Sequence, residues 1–554
     1  MLRRSPAPNE KVETHELYSS LYRSYAREPF GTVRVRNLDD TPITARLKVF
    51  IPDLMTNPSE QDIVLRPNAT QEVALTAVLP DRVVDRTGDR TVQVQVSTTY
   101  QSLRLPRTEK ASARCVAYGP GAIDWSKGMA QAAAFVTTRD PAVESLAREA
   151  VRAVDPARVS SGNRNVDFTA AIFDAVATLG VTYVADPNNP YATISGKSEA
   201  VDTILYPRQT LEKRTGDCDD TTVLLAALLG NVGIRTKFVD VPGHIFLLVG
   251  ADLHERNRFA LGAEENQYVI LDDEVWIPLE TTALRQGFAE AWRIGAEEYA
   301  SWSARGHAQV VDVDAAQARY QPGTLSTPAS TPSLDSAALQ GTLIKDLSQV
   351  AGRRQAYLAS HYEDTRSQMG QTSAGMNELA LVYYSAGRLD EAKTALHQAL
   401  EREPRSARTR NNLGVVEAAG GDLEDAAAQF QSAVDTQGDE AGYWLNLGLA
   451  RYAAGDSLAA EAPLSRGLEL SGGYEKACAL LGLAPEGGAS VEGGKRMTAE
   501  EARDLLKAAL RRVPRPVSTT PARTPRPPKK WSGRVAGGRS AEKTDMSELL
   551  YWKR

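Results

Sequence analysis

"EKRTGDCDDTTVLLAALLGNVGIRTKFVDVPGHIFLLV", residues 212–249, sets one cysteine among three aspartates at the head of an apolar run. Gly216 permits a sharp turn, Asp217 is a natural N-cap, and the run through Leu229 reads as a buried helix beginning at Cys218. Two strand-like segments follow, "IRTKFVDV" and "HIFLLVG", and His244 opens the second, 26 residues after the cysteine. Residue chemistry alone leaves three readings open: a nucleophile with its base, a metal site, or two core residues. A free cysteine commonly packs as a small hydrophobe, and a histidine on an apolar strand is commonly a satisfied core residue. The helix terminus favours a thiolate by about 0.3–1 kcal/mol, too little to overcome three close carboxylates. Those carboxylates must therefore be engaged by capping amides or by Lys213 and Arg214, with activation resting on a Cys218–His244 ion pair. An imidazole in that role needs a third group to orient it. Glu280, in "VWIPLETT" on a later strand, is the candidate, whereas Asp272 and Asp273 sit in a turn. Asp217, Cys218, Asp219, Asp220 and His244 make a poor metal set, because carboxylates prefer hard cations and thiolates soft ones. No metal and no cofactor is expected.

Outward from this segment, the order is helices first and then strands, an α+β layout. "RDPAVESLAREAVRAV" starts a helix with Asp140 as N-cap and Pro141 in its first turn, and "VDFTAAIFDAVATLG" is a second helix closed by Gly180. The strands "YVILDD" and "VWIPLETT" come after the histidine. Residues 30–116 instead alternate apolar and polar, as in Val33/Val35, Ala45/Leu47/Val49/Ile51 and Val92/Val94/Val96, which predicts an antiparallel Ig-like β-sandwich.

Beyond the Pro/Ser/Thr stretch "QPGTLSTPASTPS" lies an internal repeat. Ala380, Gly414, Gly448 and Gly482 fall 34 residues apart, and Ala392, Ala426 and Ala460 follow in the same register, as do Leu396, Phe430 and Leu464. Small residues where two helices cross, with large ones between, at this period resemble tetratricopeptide repeats. Such arrays imply a peptide or protein partner in a concave groove. A short helix with the capping pair Thr498/Glu501 follows, then a Pro-, Arg- and Gly-rich tail expected to be disordered.

A chain of 554 residues holds roughly three or four domains, and 42% hydrophobic with 24% charged residues is an ordinary soluble composition. No run reaches the roughly 18–20 apolar residues of a membrane span. The basic start lacks an apolar core, so no secretory signal is expected in the sequence as given. Residues 513–554 carry ten Lys/Arg against three Asp/Glu, +7, so the net −6 leaves −13 on the remainder. An acidic body argues against specific nucleic-acid binding. Cys115, Cys218 and Cys478 are too scattered for a disulfide framework or a zinc site, and Cys115 and Cys478 are expected to be inert.

"RTGDCDDTTVLLAALLGNVGI", "GHIFLLV" and "VWIPLETT" together resemble the transglutaminase-like cysteine hydrolase superfamily, a papain-like α+β fold. "YPRQTL" and "GFAEAWRIGAEEY" look like its bacterial branch. The resemblance implies Cys218 as nucleophile, His244 as general base and Glu280 as orienting acid, with Gln209 as a weak oxyanion donor beside main-chain amides. It departs in one place, since the superfamily usually has Asp where this chain has Glu280. The activity implied is acyl transfer through a thioester, in a peptidase, an amidase or a cross-linking enzyme; the alternative is an inert fold serving as a scaffold. The N-terminal "LYSSLYRSYAREPFGTVRVRN" resembles sandwich domains of bacterial envelope proteins, which implies a periplasmic or envelope location. The expected division is a multidomain chain: 1–118 β-sandwich, 119–305 transglutaminase-like domain, 306–340 linker, 341–490 tetratricopeptide solenoid, and 491–554 short helix with a basic Pro-rich tail.

Overall fold

The computed structural model describes residues 9–185 and 201–477, apart from 87, 103, 104, 326–329, 331, 370, 371, 386 and 473–475. Cys478, Gly482, the Thr498/Glu501 pair and the whole tail 491–554 lie outside the described residues.

The N-terminal region is rich in sheet, as its alternation predicts. One sheet runs Asn9–Thr14, Gly31–Arg36, Thr70–Leu75; the other runs Leu17–Tyr18, Leu105–Tyr118, Arg90–Ser102, Ile43–Phe50, Ser59–Leu65. Side chains alternate across a strand, so every second residue faces the core. Val33, Val35, Leu47 and Val94 are fully buried, and the residues between them face outward.

The chain forms two compact units. One comprises Met1–Val154, Phe168–Gly250 and Ile277–Asp346, and the other comprises Asp155–Asp167, Ala251–Trp276 and Leu347–Arg554. Along the chain, an α+β layer follows the sheets. The helices Pro141–Arg152, Arg164–Thr178, Pro207–Lys213 and Cys218–Asn231 precede strands ordered Glu274–Leu279, His244–His254, Thr236–Val241, Gln309–Asp312.

The expected linker over 306–340 is corrected by this sheet. Gln309–Asp312 pairs antiparallel with Thr236–Val241, Val239 facing Val310, and Lys237 Nζ bonds Asp312 Oδ2 at 2.8 Å. Asp312 then caps the helix Val313–Arg319, and Ser336 opens a 34-residue helix to Met369. A four-residue edge strand is too short to show alternation, and its order comes from pairing with a distant neighbour.

Among the described residues of the second unit, three helix pairs carry the repeat: Ser373–Ser385 with Leu389–Arg402, Ala407–Ala419 with Leu423–Thr436, and Ala441–Ala453 with Ser457–Ser471. The small-against-large register is physical. A Cβ on Gly414 would stand 2.8 Å from the Phe430 ring, and one on Gly448 would stand 2.5 Å from Leu464 Cγ. Two signals escaped the sequence reading. Gly387, Gly421 and Gly455 end the first helix of each pair with positive φ, again 34 residues apart. Buried asparagines also link successive repeats, Asn412 donating to Asn377 at 3.0 Å and Asn446 to Asn411 at 2.8 Å.

Candidate active site

Cys218 is the first residue of the helix Cys218–Asn231, as its flanking residues predict. Asp217 caps it, accepting the Asp220 N–H, while Asp220 reaches back to the Asp217 N–H and also accepts from Leu205 N at 2.6 Å. Gly216 is required by close approach, since a Cβ there would sit 2.6 Å from Asp220 Cβ. The three carboxylates are thus spent on main-chain amides, Asp219 accepting from Asp220 N at 2.8 Å. Two of them are shifted upward. Burial, then Asp217, push Asp220 up to about 7, and burial with the bond to Asp217 pushes Asp219 well above the carboxylate range.

His244 begins the strand His244–His254 and faces Val241 across a tight hairpin whose turn is Pro242-Gly243, Gly243 having φ +81°. Glu280 directly follows the strand Glu274–Leu279. Its Oε2 lies 2.7 Å from His244 Nε2, and its Oε1 accepts from Thr282 N at 2.9 Å and Thr282 Oγ1 at 2.5 Å. The helix and strands are tied by hydroxyls: Thr222 Oγ1 lies 3.2 Å from the Ile245 carbonyl and 2.7 Å from Thr281 Oγ1. Both threonines are fully buried.

The electrostatics of the three groups differ. Burial pushes the Cys218 thiol well up, Asp219 and Asp217 add to this, and a main-chain bond with Ile245 pulls the other way. Burial alone would lower His244, but the bond to Glu280, the charge of Glu280 and that of Glu298 outweigh it, so the imidazole lies above its ordinary value. Burial alone would raise Glu280, and His244 with Thr282 reverses this, holding the carboxyl below its usual range. Burial thus holds the thiol neutral, while the His244–Glu280 contact favours the charged form of each partner. Among the described residues no hydrogen bond joins Cys218 to His244, and the contact formed is that between His244 and Glu280.

Gln209 stands in a different network. It is the third residue of the helix Pro207–Lys213, and its Oε1 accepts the Tyr206 N–H at 2.9 Å. Its neighbour Arg208, missed by the sequence reading, forms a buried ion pair with Asp140 at 2.5 Å while Asp140 caps the helix Pro141–Arg152. Cys115 is buried on the strand Leu105–Tyr118, where burial raises its thiol. Glu298 is the other residue the sequence did not disclose, its Oε2 standing 4.0 Å from His244 Nε2. Its signal was hidden in an ordinary amphipathic helix, "GFAEAWRIGAEEY". His244, Glu280 and Glu298 bring ligand atoms within 4.8 Å of one another, as do Asp217, Asp219 and Asp220.

Comparison with known proteins supports the repeats. The tetratricopeptide repeat family matches residues 377–441 and 421–475, and such repeats imply protein binding. No curated protein matches the chain. Among solved structures, similarity extends to YrrB, a tetratricopeptide protein described with an unusual peptide-binding site, at 16% identity and TM-score 0.20, over 26% of this chain and 79% of that one. It extends also to Salmonella alpha-2-macroglobulin reacted with methylamine, at 13% identity and TM-score 0.22, over 90% of this chain and 29% of that one. Native Escherichia coli alpha-2-macroglobulin gives 13% identity and TM-score 0.19, over 91% and 26%. The chain thus spans less than a third of either macroglobulin. Among the described residues no helix is long and apolar enough to cross a membrane.

Proposed function

We propose that residues 119–305 act as a transglutaminase-like cysteine acyltransferase, with Cys218 as nucleophile, His244 as base and Glu280 as the group that orients the ring. The observation that carries this reading is the 2.7 Å contact between Glu280 Oε2 and His244 Nε2. It engages one ring nitrogen and leaves Nδ1 as the atom to take a proton. The thiol gives its proton to Nδ1 and sulfur attacks the carbonyl carbon of a peptide or protein amide. The C–N bond then breaks, the departing amine takes the proton from Nδ1, and a thioester remains. Water or a second amine attacks the thioester, Nδ1 receives its proton, and the sulfur leaves as thiol once reprotonated. Main-chain amides at the head of the Cys218 helix are the donors for the developing oxyanion. The tetratricopeptide array presents or recruits the protein partner. An envelope location belongs to the same reading, and fractionation of the natural product tests it.

The test is alkylation of the intact chain by iodoacetamide at pH 7, each cysteine being read by peptide mass spectrometry. Cys218 is expected to react well ahead of Cys115, and His244→Ala to abolish that lead. The burial of Cys218, 5% exposed, favours a second reading in which the fold is an inert scaffold. Equal labelling in wild type and His244→Ala selects that reading.

A further inference from the structure

Glu298 lies on the helix Phe288–Ala304, whose face Ala291, Gly295, Glu298 repeats at the i, i+4, i+7 spacing of one helical stripe. This stripe presses onto the chain around Glu280. The Ala291 carbonyl accepts the Glu280 N–H at 3.0 Å, and a Cβ on Gly295 would stand 2.8 Å from Glu280 N and from the Pro278 carbonyl carbon. Only a glycine allows so close an approach, and the approach brings the next turn of the helix, and with it Glu298, over the His244–Glu280 pair. The carboxylate stands 4.0 Å from Nε2, too far for a hydrogen bond and close enough to act by charge.

We propose that Glu298 is a positioning residue that acts through His244: with Glu280 it forms a two-carboxylate cradle on the Nε2 side of the ring, which stabilises the imidazolium and keeps Nδ1 as the working nitrogen. The inference rests on the acyl-transfer reading of Cys218 and His244. Burial and Glu280 push the Glu298 carboxyl up, while His244 and Trp302 pull it down, so the cradle carries a charge that varies with pH. Glu280 bears on Cys218, and Tyr183 feels Cys218, Asp217, Glu280 and Asp219.

Glu298→Gln keeps the size of the side chain and removes its charge. In the intact chain with 13C-labelled histidine, the His244 ring signal is identified by its loss in His244→Ala. Glu298→Gln is expected to lower the midpoint of that signal by about one pH unit. The pH–rate curve for Cys218 alkylation should move to lower pH by the same amount, because a neutral base becomes available earlier. The wild-type ring signal should also show a second inflection as Glu298 titrates, which needs no variant. An unchanged midpoint in Glu298→Gln, or a single-step wild-type curve, overturns the proposal. The ring titration does not depend on a reactive thiol, so a shifted midpoint with an inert Cys218 overturns the acyl-transfer reading and upholds the electrostatic action of Glu298 on the ring.

Discussion

Glu280 Oε2 stands 2.7 Å from His244 Nε2 although 36 residues separate them in the chain. The contact is held from both ends: Thr282 fixes the far oxygen of the carboxylate, and the hairpin opposite Val241 fixes the histidine. Under the proposed acyl-transfer reading, this contact lets a glutamate serve as the group that orients the ring. The Glu280 main chain is bonded to the Ala291 carbonyl at the end of its strand, and the longer side chain spans the remaining gap to the ring.

Glu280→Asp should therefore impair the site rather than restore it. The shorter carboxylate cannot reach both Nε2 and Thr282 from a fixed main chain, and Glu280→Gln keeps the reach but loses the charge. Both substitutions are expected to slow Cys218 alkylation on the order of tenfold or more. Glu280→Gln should in addition shift the pH–rate curve to lower pH, because His244 loses the partner that raises it. Alkylation at the wild-type rate in both variants would remove Glu280 from the proposed triad.

The stability of the His244–Glu280 pair has a defined pH window. His244 is raised, so its contribution is complete below about pH 6.5 and is lost as pH rises through its folded value. Glu280 is lowered, so its contribution is complete above about pH 4.5 and is lost as pH falls through its folded value.

A further pH effect, of the same sign as that of His244, comes from Asp174. It is fully buried, and burial, then the charge of Asp346, push its carboxyl up to about 9. The folded chain thus keeps a proton that the unfolded chain releases above about pH 4, so stability falls as pH climbs from there to about 9. Asp174→Asn mimics the protonated group. The variant is expected to be more stable than wild type by a few kcal/mol at pH 8 and to show no such gain at pH 4. Thermal melts at the two pH values measure this, and equal differences at both would refute it.

Arg208 and Asp140 form an ion pair with side chains only 5% and 3% exposed, 68 residues apart in sequence. Removing one partner leaves the other charge buried and poorly solvated. Arg208→Ala is expected to cost about 3–5 kcal/mol, measured by denaturant unfolding of the intact chain. A double variant, Arg208→Met with Asp140→Asn, should recover much of that loss, since no charge is then stranded. A loss below about 1 kcal/mol for Arg208→Ala would show that water reaches the pair.

Sequence by itself determined the parts whose physics is local or periodic. Asp217 and Asp140 announce helix starts because a capping side chain bonds amides two or three residues away. The N-terminal strands show in their alternation, and the 34-residue register shows because each repeat meets an identical neighbour, so Gly414 against Phe430 recurs as Gly448 against Leu464. Local chemistry also singled out Cys218, His244 and Glu280. Only the tertiary structure decided what those residues touch. The Glu298 carboxylate reaches the ring because Gly295 lets one helix press onto the end of a strand, and nothing in "GFAEAWRIGAEEY" distinguishes that glutamate from its solvated neighbours. Arg208 with Asp140, and Gln309–Asp312 as an edge strand, are settled likewise by partners 68 or more residues away. A contact between distant residues leaves no mark on local composition, since its energy exists only once the chain has closed the loop between them.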